Sequence, residues 1–142
     1  MTRHLPIALF LLTAAAAIGS QAGDKVSSTE ASAVRQGEYA CVFRFGGTFF
    51  DSNPLFILPG NRYRAKGGEG SWSYSAGTRR IAFSSGVLAR DFTTATYVPS
   101  GPVKGGLKNK KGPAIILAPS AAYKKIHGPE AVPLHCYLKP QE

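Results

Sequence analysis

Residues 38–45 read E-Y-A-C-V-F-R-F, and residues 133–139 read P-L-H-C-Y-L-K. In the first stretch Tyr39, Cys41, Phe43 and Phe45 fall on one side of an extended chain, with Ala40, Val42 and Arg44 on the other. In the second, Leu134, Cys136 and Leu138 alternate with His135, Tyr137 and Lys139. Successive side chains of a strand point to opposite faces, so period two marks a half-buried β-strand. Each stretch carries one of the chain's two cysteines. A bond between them needs Cα atoms within about 7 Å, which would set the first and last strands side by side.

Between these two stretches the same rhythm recurs in short pieces: 48–51, 55–58, 62–66, 71–75, 79–83, 92–98 and 113–118. Turn signals separate them, among them Gly46-Gly47, Ser52-Asn53-Pro54, Pro59-Gly60-Asn61, Gly67-Gly68-Glu69-Gly70 and Ala76-Gly77-Thr78. Roughly eight strands with a turn about every ten residues predict an antiparallel all-β domain. No stretch of helical period is long enough for a βαβ crossover, which excludes a parallel sheet. Residues 119–128 hold room for a turn or two of helix. The expected fold is a small antiparallel meander, closed or nearly closed into a barrel, because closure brings the ends together and removes exposed edges. A β-sandwich with its terminal strands in facing sheets is the alternative.

The chain has 142 residues, 44% of them hydrophobic and 18% charged, with a formal net charge of +9. That describes one folded domain. Arg3 precedes an apolar run of 14 residues, 5–18, and Ser20-Gln21-Ala22 sets small residues at a cleavage position. This three-part pattern predicts a signal peptide over 1–22, cut after Ala22. The run falls short of the roughly 20 residues that cross a bilayer as a helix, and no later segment is a candidate. Residues 23–37 read as a flexible N-terminal arm and 38–142 as a single β-domain. The protein is expected to be secreted or periplasmic. In an oxidising compartment an even pair of cysteines predicts a Cys41–Cys136 disulfide. A loop of 95 residues closed this way would add about 4–5 kcal/mol in the chain-entropy picture.

Catalytic chemistry finds little support. Two histidines remain after the signal peptide, His127 and His135, without metal-ligand spacing. His135 reads as a strand surface residue. There is no G-x-S-x-G elbow, and Asp51, Glu69, Asp91 and Glu130 are scattered beside turn residues. No catalytic residue, metal or cofactor is assigned, and the chain reads as non-enzymatic. Tyr39, Phe43, Trp72, Tyr74, Ile81 and Phe83 are expected to fill the core, not to line a cavity. The basic residues are more suggestive. Lys104, Lys108, Lys110 and Lys111 cluster in a Gly-rich loop that should contribute little to the core, and Arg62 and Arg64 share one face of a strand. If these six lie together, they form a surface for anionic cell-envelope material, either polysaccharide or lipid headgroups. Nucleic acid does not suit the compartment. The competing reading of the same charge is solubility and edge protection. A protein inhibitor of a secreted enzyme and an unrecognised hydrolase are the alternative functions.

The segment 60–88 carries G-x-Y, then G-x-W-x-Y, then I-x-F-x-S-G-x-L, through Tyr63, Gly70, Trp72, Tyr74, Ile81, Phe83, Gly86 and Leu88. It resembles small secreted bacterial β-rich proteins of unassigned function, and the resemblance implies a secreted β-domain with no catalytic residue to carry over. The Y-x-C at Tyr39 and the late Cys136 are also similar to periplasmic lysozyme inhibitors, which are disulfide-closed barrels. Their S-x-S-G-x-x-Y loop is missing here, and a basic chain would repel a cationic lysozyme.

Overall fold

The computed structural model describes residues 33–141. The expected signal peptide and the arm as far as residue 32 lie outside the described residues. Nine strands and two short helices follow in chain order: β1 Gly37–Phe45, β2 Thr48–Asp51, β3 Leu55–Leu58, β4 Arg62–Ala65, β5 Gly68–Ser75, β6 Arg80–Phe83, α1 Val87–Asp91, β7 Thr94–Val98, β8 Ala114–Leu117, α2 Ala121–His127 and β9 Leu134–Leu138. Consecutive strands pair antiparallel from β3 to β9, and β9 returns to pair with β1. The sheet is therefore a closed antiparallel barrel, and the sandwich alternative falls.

The barrel has eight staves although the described residues form nine strands. β1 offers one edge to β9 and the other to both β2 and β3. Val42 opposes Asp51 and Tyr39 opposes Leu55, so two residues of β1 face three of the partner line. That mismatch is a bulge, placed where Ser52-Asn53-Pro54 breaks the ladder. The Ser52 amide still donates to the Cys41 carbonyl at 2.9 Å. β2 thus extends β1 into a hairpin that stands above the ring.

Cys41 and Cys136 are directly opposed across β1 and β9, with Cα atoms 3.9 Å apart, and they are bonded. The bond joins the first and last staves, as their period-two placement predicts. The residues facing inward pack as one cluster that includes Tyr39, Leu55, Ile57, Tyr63, Trp72, Ile81, Phe83, Tyr97, Ile115 and Leu117. An eight-stranded ring has an interior about wide enough for side chains to fill. Trp72 is buried, as expected, and its indole N–H donates to the Arg62 carbonyl at 2.9 Å.

Several boundaries differ from expectation. The turn after β4 is Lys66-Gly67, and β5 already begins at Gly68. Phe92 leaves its expected strand because α1 occupies the preceding turn, and β7 starts at Thr94. The last part of the expected arm is tied down. Val34 is buried in the main core, the Tyr39 hydroxyl donates to the Arg35 carbonyl at 2.6 Å, and the Arg35 amide donates to the Tyr97 hydroxyl at 3.3 Å. Residues 34 and 35 thereby plug the end of the barrel from which β1 starts. Burial pushes the Tyr39 hydroxyl well above the usual tyrosine range and raises that of Tyr97.

Candidate functional site

Because the strands alternate in direction, the connections alternate between two ends. The plugged end carries residues 33–36, the turns 59–61 and 76–79, the loop 99–113 and the exit after β9. The other end, here the mouth, carries the β1–β2 hairpin tip, the turn 66–67, α1 and α2. Charge divides unevenly between them. Among the described residues, the plugged end and its flanks hold Arg35, Arg62, Arg79 and Arg80, then Lys104, Lys108, Lys110, Lys111 and Lys139, against the single acid Glu38. The mouth end holds Arg44, Arg64, Lys66, Arg90, Lys124 and Lys125 against Asp51, Glu69, Asp91 and Glu130. Among the described residues, Lys139 pairs with Glu38 at 3.2 Å and Arg62 pairs with Glu69. The other seven bases of the plugged end form no ion pair among the described residues.

The lysine loop is built into the fold, contrary to the expectation that it adds little to the core. It folds over the outer face of β8, β9 and β1, where Val103 joins Val42, Ala114 and Tyr137 in a second buried cluster. The Leu107 amide donates to the Tyr137 hydroxyl at 2.8 Å. A Cβ on Gly106 would overlap the Tyr137 hydroxyl and press on the His135 ring, so only glycine lets the backbone come this close. His135 is consequently buried beneath the loop, not exposed on a strand. Its Nε2 lies 3.3 Å from the Lys104 carbonyl, and its Nδ1 has no partner among the described residues. Burial lowers the His135 pKa, and the Lys104 carbonyl opposes that in part. Apolar anchors hold the loop while Lys104, Lys108, Lys110 and Lys111 all stay exposed.

Of the six basic residues singled out from sequence, the four lysines share one loop, while Arg62 and Arg64 lie on β4, separated by β3 from β1, the nearest strand that the loop covers. Arg62 is tied to Glu69, and the Arg64 guanidinium lies over the Phe56 ring at 4.7 Å. Arg79 and Arg80 belong to the hairpin beside β7, the strand from which the lysine loop leaves: the Arg79 carbonyl accepts from the Tyr97 amide at 2.8 Å, one residue before β7 ends.

The mouth explains the motif of 60–88. Tyr63 is fully buried, and its hydroxyl donates to the Ser85 carbonyl at 2.7 Å while accepting from the Leu88 amide at 3.0 Å. Gly70 lies against that ring, where a Cβ would come within 2.6 Å of it. Phe83 meets Tyr63 edge-on at 5.2 Å, and Tyr74 meets Tyr97 edge-on at 5.7 Å. The motif is a packing unit that seats α1 in the mouth. α2 lies beside it, its first turn capped by the Ser120 hydroxyl, which accepts from the Tyr123 amide at 3.1 Å and donates to the Arg90 carbonyl at 2.7 Å. α1 and α2 cover only part of the opening. A cavity of about 520 Å³ remains, floored by Cys41, Leu55 and Leu117. This corrects the expectation of an interior filled throughout. Tyr39, Trp72, Ile81 and Phe83 are core as expected, whereas Phe43 lines the cavity.

No three histidine, cysteine, aspartate or glutamate side chains gather into a metal-binding group among the described residues, and no helix among them is long and apolar enough to cross a membrane. A scan against protein-family models, a search of curated proteins and a search of solved structures each found no match to this chain.

Proposed function

We propose that this protein is an exported, non-enzymatic barrel that binds anionic cell-envelope material, in particular acidic polysaccharide, through its plugged end. The observation that carries this reading is the charge polarity: among the described residues, nine basic residues stand against one acidic residue at one end. Seven of those bases form no ion pair among the described residues, so their field is not cancelled locally. The loop that presents four lysines is anchored by Val103, Leu107 and the Tyr137 hydroxyl, so a bound polymer would meet charges already in place. The disulfide suits an oxidising compartment outside the cytoplasm, where such polymers occur.

A polyanion bound mainly by charge releases counterions, so retention on heparin, or on an acidic envelope polysaccharide, should fall steeply between about 50 and 200 mM salt. Lys108→Glu, Lys110→Glu and Lys111→Glu together should abolish most of it with the melting temperature preserved, since all three side chains are exposed. Equal retention of the native and reversed proteins, or no retention at about 50 mM salt, would leave the basic surplus as a solubility feature.

A further inference from the structure

The cavity at the mouth has no part in that reading and lies at the other end of the barrel. We infer that it is a binding site for a small single-chain amphiphile, with an apolar body inside and a polar head at the rim. Its volume of about 520 Å³ falls in the range of small-ligand sites. The floor and walls are apolar: Leu55, Leu117, Phe43, Phe92 and Leu134 all line it. The polar lining residues are Ser52 and Asn53 before β3, Lys66 from the β4–β5 turn, Asp91 at the end of α1, and His127 and Glu130 from α2 and beyond. Apolar depth with a charged rim suits a molecule that is itself divided. The presence of both signs at the rim favours a zwitterionic head over a purely anionic one.

A second observation points to the same place. Phe45, Phe50 and Ile126 are the exposed large hydrophobic residues among those described, at 66%, 46% and 67%. All three belong to the mouth end. Phe50 opposes Phe43 across the hairpin and stacks on it at 5.6 Å, so the inner face of the hairpin continues the cavity wall upward. Exposed apolar surface gathered around one opening marks a site where something apolar is received.

The test is calorimetric titration with dodecylphosphocholine, kept below its micelle concentration, read alongside amide NMR shifts. Saturable one-to-one binding is expected, with shifts at Leu55, Leu117 and Leu134. Ala65→Trp fills the cavity from β4 and should weaken binding about tenfold or more. Val132→Trp does so from a connection outside the sheet, which keeps the test open if the first variant fails to fold. The triple lysine reversal should leave this titration unchanged, which separates the two sites. No saturable binding, equal binding by native and filled variants, or shifts confined to the free edge of β2 would each overturn the inference.

Discussion

Tyr63 shows how much one side chain settles in a barrel this small. Its hydroxyl tethers β4 to the amide of Leu88, and through Ser85 it also fixes the approach to α1. Tyr63→Phe keeps the ring's packing and leaves a buried carbonyl and amide without their partner, a cost of about 1–3 kcal/mol. Denaturant unfolding should show that loss, and hydrogen exchange should speed up first in residues 85–91. An unchanged exchange rate there would mean α1 is held by packing alone. His135 supplies a pH dependence. Its native pKa is lowered, so the fold favours the neutral ring, while the unfolded chain takes up a proton near the ordinary value of 6.5. The contribution of His135 is therefore complete above about 6.5 and is lost as pH falls through the lowered native value. The urea midpoint of the native protein should drop on that acid limb, and His135→Phe should flatten the drop. An identical acid slope in the variant would place the responsible group elsewhere. The periodicity of β9 tells which face His135 takes, but that this face is covered depends on a loop some 30 residues away.

At the scale of elements, the strands follow directly from period two, and the bulge between β2 and β3 follows from Ser52-Asn53-Pro54. α2 was foreseeable in 119–128, helped by the Ser120 cap, whereas α1 has too few residues to show a helical period and exists because Tyr63 accepts the Leu88 amide. The closure of β1 on β9 is the element-level event on which the barrel depends. It is held by five opposed residue pairs and by one disulfide. Cys41→Ala with Cys136→Ala removes a link across 95 residues, which should cost about 4–5 kcal/mol. The small side chains keep the inward face apolar, so the variant should refold to the same far-ultraviolet spectrum under mild conditions. The melting temperature of the double variant, compared with that of the reduced native protein, checks this. Equal melting of oxidised native protein and the double variant would show that the β1–β9 ladder closes the ring unaided.

The whole molecule is polarised along the barrel axis, with a cationic plugged end and a mouth ringed by exposed apolar side chains. Polarity of this kind is invisible in the net charge, since it depends on which end of the barrel each turn occupies. It yields a discriminating expectation. Arg79→Glu with Arg80→Glu should weaken heparin retention strongly, because both residues belong to the cationic plugged end. Arg64→Glu should weaken it little, because Arg64 lies over Phe56 towards the mouth end. Salt elution from a heparin column measures both on one scale. Equal losses for the two variants would mean that total charge governs retention and that no particular surface does.

Alternation of apolar and polar residues, turn chemistry and two cysteines in the outermost strands sufficed to determine an antiparallel all-β chain closed by a disulfide. These features are local or nearly so: a side chain's face depends on its neighbours two positions away, and a turn on three or four residues. Which loops fold back over the barrel, and which walls adjoin, was decided only by the tertiary structure. The alternation of strand direction gathers Arg79, Arg80 and the four lysines at one end of the barrel, and no period in the sequence encodes that. The cavity belongs to the same class. Its floor is made of residues that each read as ordinary core, and it stays open to the outside because α1 and α2, seated by Tyr63 and Ser120, cover the mouth only in part.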